Sequence, residues 1–207
     1  MLKDILEENV HRNRALRQPY NPIKGIGCLW PRKLVDAGRW DEGAVWLPAS
    51  MLADPEYNIG LSKLQYRELR YRHDFEYWCA TCIKIHNKST RRTEPFILNR
   101  AQRRLFAVME RQRLAGKPVR VILLKARQWG GSTLTQIYMA WWQLILYENC
   151  NSVICSHLKD TSAAIRAMYS KLLERLQHTP YEAEAFRGVS QRLHPSSAGE
   201  QTCCGFY

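Results

Sequence analysis

A glycine pair set between an apolar run and a long apolar helix constrains this chain of 207 residues more than any other feature. The run VRVILL (119–124) is nearly continuous and β-branched, as expected of a strand buried on both faces of a parallel sheet. The stretch STLTQIYMAWWQLILYE (132–148) is long and apolar enough for a helix buried on most of its circumference. Between them Gly130-Gly131 supplies the backbone freedom, positive φ included, that a turn into a helix can use to build an anion nest. Strand, glycine turn and helix in that order aim unpaired N–H groups and the helix dipole at an anion.

The connecting loop, LLKARQWGGSTLTQ (123–136), carries phosphate-binding chemistry in an altered order. A phosphate loop of the form G-x-x-x-x-G-K-[ST] cradles phosphates with backbone N–H groups, reaches them with lysine and holds magnesium through the hydroxyl. Aligning Gly130 with the second glycine puts Ser132 on the hydroxyl position, Gly131 on the lysine position and Lys125 on the first glycine position. Lysine and glycine have exchanged ends, and the flexible lysine stem can span the loop. The candidate nucleotide-binding set is therefore Lys125, Ala126, Arg127, Gln128, Trp129, Gly130, Gly131, Ser132 and Thr133, with Ser132 as the magnesium-linked hydroxyl. The competing reading is a plain turn between a core strand and a core helix.

A second strand-helix unit follows. NSVICSH (151–157) reads as a short buried strand, and KDTSAAIRAMYSKLLERL (159–176) as an amphipathic helix with Ile165, Met168, Tyr169, Leu172, Leu173 and Leu176 on one stripe. Strand, helix, strand, helix at this spacing implies parallel pairing. The expected fold class is α/β: an incomplete sheet of parallel strands with flanking helices, preceded by an irregular and helical amino-terminal region.

The segments PFILNRAQRRL (95–105), LLKARQWGGSTL (123–134) and VICSHLKDTSAAI (153–165) together resemble the opening of the P-loop ATPase domain in the large terminase subunit of tailed phages. That resemblance implies ATP and Mg²⁺ as cofactors, Lys125 in the phosphate-lysine role, Ser132 on magnesium and Gln102 against adenine. It also implies a DNA-packaging motor acting on double-stranded DNA, with a small terminase subunit, a portal and capsid, and further copies of itself as partners. Read from the residues alone, Gln102 is equally a polar residue in the first turn of the helix NRAQRRLFAVMERQRLAG (99–116), capped by Asn99 and stopped by Gly116.

Hydrolysis in such motors needs paired acids at the end of a second strand. No apolar strand followed by Asp-Glu occurs after Thr133, and no nuclease carboxylate cluster can be assigned. No catalytic residue is identified, and a chain of this kind reads as a truncated phage or prophage terminase fragment. Residues 1–60 read as an irregular lead-in arm, 61–187 as the front of the ATPase domain, and 188–207 as either a disordered tail or an out-of-frame ending.

A net charge of +12, from 31 basic against 19 acidic residues, points to a polyanionic partner. Basic clusters at 11–17, 67–73, 88–92 and 103–113 have tyrosines 66, 71 and 77 among or beside them, offered for base stacking or turned to the core. Seven cysteines at irregular spacing argue for a reducing compartment. The Cys79–Cys82 pair lacks a second pair at zinc-finger spacing and reads as small buried helix residues. With no secretory signal and no stretch suited to a bilayer, the expectation is the cytoplasm of a bacterial host and no membrane partner. Three functions remain open: the packaging ATPase, another nucleic-acid-dependent P-loop motor such as a helicase, and a basic DNA-binding module in which the loop is a structural turn.

Overall fold

The computed structural model describes residues 19–40, 43–86, 91–124, 129–147, 150, 153, 155, 156, 158–174 and 176. These fall into two compact units, the first drawn from residues up to Ala80 with Ile97–Leu134, the second from Thr81–Phe96 and Thr135 onward.

The first unit opens with a β-hairpin, β1 (Arg32–Asp36) against β2 (Ala44–Pro48), antiparallel with Leu34 opposite Trp46. Alternation puts Val45 and Leu47 into the core, where they join Ala37, Trp40, Met51, Tyr66 and Leu69. The short helix α1 (Ala49–Leu52) follows, then α2 (Lys63–His73), which Ser62 and Gln65 start with a reciprocal capping box. Trp40 stacks flat on Tyr66, ring centroids 4.5 Å apart, and donates its indole N–H to the Leu61 carbonyl. After α3 (Phe75–Cys82), the long helix α4 (Arg100–Leu114) completes this unit's core, with Phe106 stacked on Phe75 at 4.7 Å.

The second unit holds a small antiparallel pair, β3 (Lys84–His86) and β4 (Thr93–Pro95). Helix α5 (Gly131–Trp141) enters it and widens into a π-helical turn over Trp142–Leu146. Helix α6 (Lys159–Glu174) contributes buried Tyr169, Leu172 and Leu173. The Tyr169 hydroxyl donates to the Gln143 carboxamide.

The expected parallel α/β sheet is overturned. The sheets are two-stranded and antiparallel, β1 with β2 and β3 with β4. Residues 119–124 form no ladder among the described residues, and Ile122 and Leu124 stand 102% and 99% exposed. A strand central to a parallel sheet would bury both faces. The described part of 151–157, namely Val153, Cys155 and Ser156, is likewise outside any strand. The P-loop ATPase fold, the terminase resemblance and the packaging and helicase-like motor functions built on that fold are corrected with it, because a Walker-type loop works at the carboxyl end of a parallel strand. Local hydrophobic patterning carries no information about pairing partners.

Candidate functional site: the arginine helix and its anchor

Helix α4 is fixed at its amino end by a second capping box. The Asn99 side chain accepts from the Gln102 N–H, and the Gln102 carboxamide oxygen accepts from the Asn99 N–H, both at 2.9 Å. The same two side chains reach the glycine turn. Asn99 Nδ2 donates to the Trp129 carbonyl at 3.2 Å, and Gln102 Nε2 donates to the Gly130 carbonyl at 3.1 Å. Gly130 has φ +84°, which favours glycine, and a Cβ there would sit 2.6 Å from Gln102 Nε2, so a larger residue would also push the Gln102 carboxamide off the turn.

The proposed nucleotide-binding residues divide accordingly. Lys125, Ala126, Arg127 and Gln128 lie outside the described residues. Trp129 and Gly130 form the turn, Gly131 begins α5, and Ser132 and Thr133 stand in its first turn. Gln102 is brought to this turn, with its carboxamide engaged in capping and in holding Gly130.

The inner face of α4 meets a buried ion cluster that the sequence did not announce. Asp74, at the junction of α2 and α3, accepts two bonds from the Arg32 guanidinium at 2.7 and 2.8 Å and one from Arg70 Nε at 3.4 Å. Its Oδ1 also accepts from the Tyr77 N–H at 3.2 Å, capping α3. Burial works against this carboxylate's charge, and the Arg32 pairing overcomes it, leaving the pKa below the ordinary aspartate value. Glu76, two residues on, accepts from the Tyr20 hydroxyl at 2.9 Å. Arg32 lies 3.7 Å and Arg103 4.0 Å from it. Burial dominates here and raises the Glu76 pKa above its usual range, against the pull of the Arg32 charge.

Two arginines of this cluster also bind residues 20–27 from inside. Arg70 donates to the Ile23 carbonyl at 2.7 Å, and its guanidinium covers the Tyr77 ring at 3.6 Å. Arg103 donates to the Gly27 carbonyl and lies over the Tyr20 ring at 4.1 Å. Arg32 anchors the start of β1. Half-buried Cys28 sits against the same cluster, and its own burial and the Glu76 charge push its thiol far above the ordinary range. The cluster is closed: Asp74, Glu76, Arg70 and Arg103 are all buried, and their visible role is to clamp the amino-terminal segment to α2, α3 and α4.

Tyrosines 66, 71 and 77, offered by the sequence for stacking on bases, are buried in the core. Cys79 and Cys82 are buried in α3. Among the described residues no cluster of three His, Cys, Asp or Glu suits a metal ion, and no helix is long and apolar enough to cross a membrane. No protein-family model, no curated protein and no solved structure matches the chain.

Proposed function

We propose that this chain is a nucleic-acid-binding module that holds double-stranded DNA through its phosphate backbone. The observation that carries this reading is where the positive charge resides. In the interior Arg32, Arg70 and Arg103 are offset by Asp74 and Glu76, so almost all of the +12 excess belongs to the rest of the chain. Lys33, Arg39, Arg91, Lys117, Arg120 and Arg166 are among the exposed cations. A surface of that sign attracts a polyanion at long range and binds it by releasing counterions.

Binding of this kind is nearly indifferent to base sequence and falls steeply with salt. Fluorescence anisotropy with two duplexes of unrelated sequence should give affinities within a few-fold of each other. Both should drop by orders of magnitude between about 50 and 200 mM salt if six or more phosphates are contacted. Binding that persists in high salt, or that strongly prefers one duplex, contradicts the reading.

A further inference from the structure

We infer that the outer face of α4 is the surface on which the DNA backbone docks, an inference that rests on the nucleic-acid reading above and locates its site. The buried residues of α4 are Gln102, Arg103, Leu105, Phe106, Met109 and Glu110. At 3.6 residues per turn these occupy one side, and Arg100, Arg104 and Arg111 fall within about 40° of one another on the opposite side. Arg111 is exposed, and Arg100 and Arg104 are half-buried. Neither Arg100 nor Arg111 makes an ion pair with a described residue, whereas Arg113 is paired with Glu110.

Apart from exposed Leu114 near its carboxyl end, the rest of that face is small. Ala101, Val108 and the C-cap residue Ala115 are exposed between and beyond the arginines. Glu110, the helix's one acidic residue, is buried and paired with Arg113, so no acid lies on the outer side. Past Gly116, exposed Lys117 and Arg120 add two further cations. The amino end of the helix dipole adds positive potential beside Arg100.

From Arg100 to Arg111 the stripe is about 17 Å long, from the helical rise. Over that length a duplex presents a dense row of charges, about one per 1.7 Å of axis. Guanidinium forks match phosphate oxygens bidentately. The short side chains between them let a backbone approach closely, and they provide none of the aromatic anchors that mark the core of a protein–protein interface.

The test compares two charge-matched variants of the whole chain on one labelled duplex at fixed salt. Arg100→Gln/Arg104→Gln/Arg111→Gln removes the stripe. Arg91→Gln/Arg166→Gln/Lys171→Gln removes the same charge from exposed positions elsewhere. The stripe variant should lose at least about tenfold in affinity, and the control far less. Val108→Glu places an acid in the middle of the stripe at a position already 47% exposed. It should weaken binding severalfold with its melting temperature unchanged, so the inference does not hang on how the triple variant folds. Equal losses in the two triple variants, or full affinity in Val108→Glu, would place the interface elsewhere and overturn this inference while leaving the nucleic-acid reading intact. A wild-type chain that ignores duplex DNA, or binds only vesicles of anionic phospholipid, overturns both.

Discussion

Arg103 and Arg111 belong to the same helix, about 80° apart around its axis, and meet different surroundings. Arg103 is buried, bonded to the Gly27 carbonyl, laid over Tyr20 and within 4.0 Å of Glu76. Arg111 is exposed and touches no acid among the described residues. The inner arginines of this unit act as clamps: they satisfy loop carbonyls and buried carboxylates, and their charge is cancelled at short range. Of the outer ones, Arg100 and Arg111 make no ion pair with a described residue. A count of basic residues mixes the two populations, and only the fold separates them.

The sharpest way to break that distinction is to remove a clamp. Asp74→Ala strips Arg32 and Arg70 of their buried carboxylate and uncaps α3, which should destabilise the protein by about 3–5 kcal/mol in urea unfolding. Arg103→Ala should also be costly, leaving Glu76 buried with one fewer counter-charge. Arg111→Ala, on the same helix, should change stability by no more than about 0.5 kcal/mol. Comparable losses for Arg103→Ala and Arg111→Ala would erase the distinction between clamp and display.

A smaller effect tests the electrostatics of the clamp. Asp74, with a depressed pKa, contributes stability above its ordinary value near 3.8 and loses it as the pH falls through the lower folded value. Glu76 acts with the opposite sign. Its folded pKa is raised above the ordinary value near 4.5, so the folded state holds its proton longer than the unfolded state, and stability declines as the pH rises through that interval. Glu76→Gln should remove this decline while keeping a group that can accept from Tyr20. Thermal melts from pH 4 upward on both proteins read the difference; superimposable pH profiles would contradict it.

Much of the local structure was legible in the sequence. Asn99 and Gly116 mark the ends of α4 as caps do, and Gly116 has φ +66°. Helix α6 covers most of the amphipathic stretch read from 159, and Gly130 adopts the positive φ its place in the turn requires. Pairing was not legible. VRVILL has the composition of a central strand and yet stands outside any ladder, because the partner that makes a strand central is a non-local fact. Conversely, residues 21–60 show no sustained period but contain the β1–β2 hairpin, whose strands of five residues are too short to display one. The site was half-visible for the same reason. The basic cluster at 103–113 was evident, and a helical projection of Arg100, Arg104 and Arg111 against Leu105, Phe106 and Met109 would have found the outer stripe. That Arg103 belongs inside depends on Glu76, Tyr20 and Gly27, 27 to 83 positions earlier in the chain.

The most direct measurement of the central claim is the salt dependence of duplex binding for the wild type and for Arg100→Gln/Arg104→Gln/Arg111→Gln. Each phosphate contact contributes about 0.9 to the slope of log K against log salt concentration. If the three outer arginines each neutralise a phosphate, the variant's slope should be shallower by about 2.7. Two parallel lines, with the variant merely displaced or not displaced at all, would show that these arginines meet no phosphates.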